Sequence, residues 1–212
     1  AKAGLNAKTK KIDLGIDWDG PVMIVPYSTY HKVFKRAGTT QHDGSAMHEL
    51  IVLDKDGNVD PDTPIMFAYS TLDYIEVYKL DPKSAITIKN GVFTTLDSRV
   101  NHLTEKEDGT YEFKGGYISR GLSVNRSYTT VENIEHIVTG GYTLYDRFVN
   151  KCEGSPYQGF FRAANANCIT FKNCIMPGRM AYAIGHHSSY NFGALCVNKI
   201  VLENCIQSNF WV

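Results

Sequence analysis

Nine side chains in the second half of the 212-residue sequence have the chemistry to grip and process an anionic polymer. Arg120, Arg126, Arg162, Arg179 and Lys151 supply positive charge, Tyr182, His186 and His187 can move protons, and Tyr190 offers a polar aromatic ring. A guanidinium meets a carboxylate through two parallel hydrogen bonds, so several Arg near one groove would select an acidic sugar. A His or Tyr within hydrogen-bond reach of a scissile bond can take or give a proton. The same residues also have an ordinary reading, with the Arg side chains paired to acidic neighbours and His186-His187 in a solvated loop. Glycoside hydrolysis would instead need two carboxyl groups at a fixed separation. Asp146 and Glu153 in one segment, and Glu132 and Glu203 near strand ends, are the carboxylates on offer. No phosphate-binding glycine loop, HExxH or GxSxG signature is present.

What must position these groups is one phrase written four times: ITIKNG at 86–91, TTVENI at 129–134, ITFKNC at 169–174 and IVLENC at 200–205. Alternating β-formers followed by a charged residue and an Asn predict a short strand running into a polar turn. Asn90, Asn133, Asn173 and Asn204 are spaced by 43, 40 and 31 residues, which is the range of stacked repeats carrying loop insertions. The match continues upstream, to Asn125, Asn165 and Cys196 eight residues earlier and to Ser127, Asn167 and Asn198 six residues earlier. Parallel stacking would place equivalent residues about 4.8 Å apart and make the Asn an amide ladder. Gly91, Ile134, Cys174 and Cys205, which follow the Asn, are small or apolar, as an inward position in a narrow core requires. Glu132 and Glu203 share a repeat position with Lys89 and Lys172, which predicts charge pairing between turns rather than catalysis.

Composition narrows the class. Hydrophobic residues make up 43% and charged residues 21%, with 22 basic and 22 acidic side chains, so no net charge draws the chain to nucleic acid or an anionic membrane. No apolar run reaches the roughly 18 residues of a membrane span. Five cysteines, Cys152, Cys168, Cys174, Cys196 and Cys205, form no CxxC pair, against a zinc ribbon or disulfide scaffold. The repeat makes Cys174 and Cys205 stacked interior neighbours, close enough to bridge, although buried free thiols are common. The start at Ala1, without a signal-like pattern, is expected of a processed or truncated chain.

Along the chain, 1–20 reads as an irregular lead-in. PVMIVPY, ELIVLDKDGNV and PIMFAYSTLDYIEVYKL read as strands with a turn at Asp56-Gly57, and 31–48 as a helical turn or long loop. Asp54, Asp56, Asn58 and Asp60 are spaced like calcium ligands, but the Gly position and closing Glu of an EF-hand are missing, so a hairpin turn is expected. These considerations predict a small β cap unit over 1–83 and stacked coils over 84–212. Segments 97–117, 139–159 and 176–193 interrupt the repeat and are where a rigid scaffold keeps its function. The repeat has not visibly ended at Val212, so further coils are expected beyond it.

The Asn-bearing strand repeats over 84–212 resemble the right-handed parallel β-helix proteins of the pectate-lyase-like superfamily. The resemblance implies an all-β solenoid, secretion or display at the cell surface, and a polysaccharide or glycan partner in a groove along one face. It also implies calcium in the lyase members. On this reading an acidic polysaccharide is cleaved by lyase or hydrolase chemistry, with Arg162 or Arg179 on the uronate carboxylate and His186, His187 or Tyr182 as base. The competing expectation is a glycan-binding or structural module without turnover, or the scaffold part of a larger enzyme.

Overall fold

Fourteen strands and one 3-10 turn at Pro82–Ser84 are the regular structure of the computed structural model, which describes residues 4–33, 44–96, 103–109, 111–113, 121–139, 160–176, 192–207 and 210–211. No α-helix occurs among the described residues. The chain divides into two compact units, Ala1–Ser84 and Ala85–Val212.

The first unit is an antiparallel sheet. Strand β1 (Val22–Val33) is flanked by β2 (Ser45–His48) and β3 (Ile51–Leu53) along one edge and by β4 (Tyr74–Lys79) along the other. Val22, Ile24, Met47, Ile51 and Leu53 point to one face and are buried with Ile65, Tyr69 and Leu72. The irregular lead-in is tied down: Leu5 and Ile12 enter this core. The Ile12 amide donates to the Gly57 carbonyl at 2.8 Å. Gly57 sits at φ 81° with the Ile12 carbonyl 2.4 Å from where a Cβ would stand, so only glycine fits that turn.

Two expectations are corrected here. Residues 45–48 are a strand, not a helical turn or loop, because Met47 is buried while His48 stacks on Tyr27 across the strand pair at 5.1 Å. Residues 34–43 lie outside the described residues. The stretch 65–73 is not strand; only 74–79 is. Its buried side chains, Ile65, Tyr69 and Leu72, recur at spacings of four and three rather than two. The Glu49 carboxylate accepts the Met66 and Phe67 amides at 2.7 and 3.1 Å and so bends the segment away from a ladder. Burial raises the Glu49 pKa against these two bonds. At 54–60 the expected turn is present: Asp54 accepts the amides of Asp56 and Asn58 and the Asn58 side chain, all within 2.9 Å, and these bonds lower its pKa.

The second unit is built from parallel rows. Its strands are β5 (Ile86–Leu96), β6 (Leu103–Glu105), β7 (Tyr111–Phe113), β8 (Leu122–Val124), β9 (Thr129–Thr139), β10 (Phe161–Lys172), β11 (Ile175–Met176), β12 (Phe192–Glu203), β13 (Ile206–Gln207) and β14 (Phe210–Trp211). Strands β5, β9, β10, β12 and β14 pair in sequence order, each parallel to the next. Strands β6 and β7 form an antiparallel hairpin around Asp108-Gly109, inside the first expected interruption.

The repeat phrase aligns as its spacing required. Ile88, Val131, Phe171 and Leu202 form one inward row and Lys89, Glu132, Lys172 and Glu203 the adjacent outward row. That outward row alternates in sign, and Lys172 pairs with Glu203 at 3.0 Å, which raises the Lys172 pKa. The amide ladder runs through three of the four Asn: Asn133 donates to Asn90 at 3.2 Å and Asn173 donates to Asn133 at 3.1 Å.

β10 and β12 end just before Asn173 and Asn204, as the sequence predicts, whereas β5 and β9 run on through Asn90 and Asn133, which fold them. Asn90, Asn133, Asn173 and Asn204 all have φ between 50° and 62°. Each is a one-residue left-handed corner, a conformation that Asn adopts at little cost. Two more corner columns precede it, Tyr128–Cys168–Lys199 and Asn165–Cys196, all at positive φ. The residues of β10 show the consequence. Phe161 and Phe171 would stand about 33 Å apart in an extended strand. Their rings instead meet edge-on at 5.9 Å, because the chain has turned at Asn165 and Cys168 and wrapped around its own core. Phe192 from the next turn packs on Phe171 at 5.1 Å. Phe210 pairs with Phe192 after only 18 residues, whereas Phe192 is 31 residues beyond its partner Phe161, and Phe161 is 39 beyond Leu122. The excess lengths are the insertions at 177–191 and 140–159.

Candidate functional site

Strands β8, β10 and β12 begin in register, with Leu122, Phe161 and Phe192 in one inward row and Ser123, Arg162 and Gly193 in the next. Gly121 fixes the first of these starts. A Cβ there would lie 2.2 Å from the Phe160 carbonyl oxygen, which accepts the Leu122 amide at 2.7 Å. The three segments 114–120, 140–159 and 177–191 therefore all rejoin the sheet at this one row. Arg120 precedes it by two residues of sequence in the first strand, and Tyr190 by two in the third.

Arg162 is the centre of the row. It is half-buried, and its Nε is shielded from solvent with no partner among the described residues. Among the described residues this Nε–H lacks an acceptor, and a carboxylate is the acceptor that suits a guanidinium best. Ser123 beside it donates its hydroxyl to the Asn125 side chain at 3.1 Å. Arg126 is not part of the row: it is exposed in the bend between β8 and β9, and its carbonyl accepts the Thr129 hydroxyl at 2.8 Å. Tyr182, His186, His187, Arg120, Arg179, Lys151 and Tyr190 lie outside the described residues, as do Asp146 and Glu153. Glu132 and Glu203 stand in the alternating charge row, and no group of three metal-ligating side chains occurs among the described residues.

A second surface escaped the sequence reading. An open groove of about 380 Å³ runs beside the amide ladder, lined by Asn90, Val92, Asn133, Glu135, Asn173 and Ile175. Val92, Glu135 and Ile175 form one outward row that continues to Ile206, with Val92 62% and Ile206 64% exposed. Counting two residues on from each Asn would have found it. With one carboxylate among amides and aliphatic side chains, this groove has groups for binding an extended chain but no acid–base pair.

His136 is the other titratable group that sequence alone does not single out. Its ring lies parallel to that of Phe160 at 3.9 Å, with Phe93 beyond at 5.4 Å from Phe160. Burial pushes its pKa down to about 4, so it is neutral at neutral pH. It is 2% exposed and is a packing residue rather than a base open to substrate.

The chain matches no family model, and comparison with curated proteins and with solved structures likewise finds no match. Among the described residues no helix is long and apolar enough to cross a membrane.

Proposed function

We propose that residues 85–212 form a right-handed parallel β-helix of the pectate-lyase-like kind, from a secreted or cell-surface protein that cleaves an acidic polysaccharide. The single observation that carries this reading is the common register of β8, β10 and β12, which brings three insertions back to the sheet at the level of Arg162, whose Nε has no partner among the described residues. The wrapping of β10 around its own core supports the solenoid. In this reading Arg162 binds a uronate carboxylate and lowers the cost of charge developing beside it. His186, His187 or Tyr182 removes the proton on the carbon next to that carboxylate. The electron pair forms a carbon–carbon double bond as the glycosidic oxygen leaves and is protonated.

The test is a panel of uronate polymers followed by the ultraviolet absorbance of the unsaturated product, for the wild type and for Arg162→Ala and Arg162→Lys. Turnover that falls at least tenfold in R162A, with a weaker loss in R162K, supports the reading. Absence of turnover across the panel by folded protein ends it. A second reading, glycan binding without turnover, is favoured by the groove beside the amide ladder, which has the groups to bind but no acid–base pair. Binding of the same polymers that is unaffected by R162A and weakened by Val92→Asp would select it.

A further inference from the structure

Cys174 and Cys205 each follow a corner Asn, in successive turns of the stack. Two backbone hydrogen bonds bracket them: the Asn173 amide donates to the Glu203 carbonyl and the Ile206 amide to the Cys174 carbonyl, both at 2.9 Å. Backbones so joined run about 4.8 Å apart, inside the window of roughly 4.4–6.8 Å between Cα atoms that a disulfide spans. Both residues are free thiols. The Cys174 thiol donates to the Lys172 and Val131 carbonyls at 3.4 and 3.6 Å, and the Cys205 thiol to Phe171 and Glu203 at 3.3 and 3.5 Å. Each sulfur thus reaches toward the preceding turn, and Cys205 is among the groups that act on the Cys174 thiol. Of the other described cysteines, Cys168 shares its corner column with Tyr128 and Lys199, and Cys196 shares its own with Asn165.

We propose that Cys174 and Cys205 are a dithiol that closes into a reversible inter-turn disulfide when it meets a small-molecule disulfide such as oxidised glutathione. Accessibility sets the order of events. Cys174 is fully buried, whereas Cys205 is partly exposed. The Cys205 thiolate attacks the oxidised glutathione, forms a mixed disulfide and releases one glutathione thiolate. The Cys174 thiolate then attacks the Cys205 sulfur, forming the inter-turn bond and expelling the second glutathione. One disulfide is reduced for each one made, and the two protons lost by the cysteines end on glutathione. Burial raises the Cys174 pKa, so the second step is the slower. The Cβ atoms of in-register neighbours must draw together by about 1 Å, which makes the bond readily reduced again.

The test is to incubate the folded full chain with oxidised glutathione, quench in acid and map peptides without reduction. The expected result is one cross-linked pair containing Cys174 and Cys205, the loss of two of the five thiols, and reversal by dithiothreitol. Cys174→Ala should keep glutathione on Cys205, because the resolving thiol is gone, while Cys205→Ala should leave Cys174 unmodified. In the wild type, the Cys205 mixed disulfide should precede the cross-linked peptide in time, a readout that needs no variant. The proposal is overturned if both thiols stay free while the circular dichroism is unchanged, if glutathione appears first on Cys174, or if either cysteine links instead to Cys152, Cys168 or Cys196.

Discussion

Replacing Gly121 by Ala should loosen the turn that carries Arg162. The added Cβ would stand 2.2 Å from the Phe160 carbonyl oxygen, 2.8 Å from its Cα and 2.9 Å from its carbonyl carbon. These are backbone atoms, so no rotamer change relieves the contact, which is more than about 1 Å short of a normal separation. The Leu122 amide, now 2.7 Å from that same oxygen, must move away. A net hydrogen bond of about 1 kcal/mol is lost and a covered carbonyl is left poorly satisfied, for about 1–3 kcal/mol more. The sum, about 3 kcal/mol, corresponds to roughly a hundredfold loss of protection. Hydrogen exchange read by mass spectrometry on peptides covering 121–124 and 160–172 is the assay. Exchange in those peptides should rise while the 22–28 and 51–53 peptides serve as the internal reference. Protection changed by less than about threefold would refute the steric reasoning.

Three further outcomes follow from the same geometry. Asn133→Ala removes both ladder hydrogen bonds and places a residue with a Cβ but no local hydrogen-bonding group at φ 54°, so it should cost about 2–3 kcal/mol in urea unfolding. Asn133→Gly, which accepts that φ freely, should cost less, and equal losses would exclude the corner role. His136 has a folded pKa of about 4, below its ordinary 6.5, so the unfolded chain binds its proton first. The stability it contributes is complete above pH 6.5 and is lost as pH falls from 6.5 to 4, by about 3 kcal/mol. His136→Phe, which keeps the stack on Phe160, should flatten that acid limb of the stability curve. Glu132→Lys would set three Lys side by side in the row from Lys89 to Lys172, and should cost about 1 kcal/mol at low salt and less at high salt, as thermal melts would register.

The repeat phrase was legible because its physics is local and periodic. Strand alternation put Val131 and Phe171 inward and Glu132 and Lys172 outward, and the Asn spacing alone set the register that pairs them. The stacking of Asn on Asn and the neighbourhood of Cys174 and Cys205 follow from the same count. What alternation could not give was the strand at 45–48, where pairing with β1 overrides a helix-compatible sequence, or the wrapped path of 65–73, which the half-buried Glu49 carboxylate dictates. Both are decided by partners distant in sequence.

By itself, then, the sequence determined that the second half pairs its repeated strands in parallel, which charges lie on their outer face and which segments interrupt the repeat. The tertiary structure decided where those interruptions return. Phe161 and Phe192 keep the 31-residue spacing of Asn173 and Asn204, but Leu122 and Phe161 are 39 apart against 40 for Asn133 and Asn173, so the count alone does not say that all three start strands in one row. Packing says so: the Phe rings must fill a narrow interior against Phe171, and Gly121 leaves room for the Phe160 carbonyl. Only that shared row turns Arg162 from one basic residue among several into the one at the level where three strands begin together.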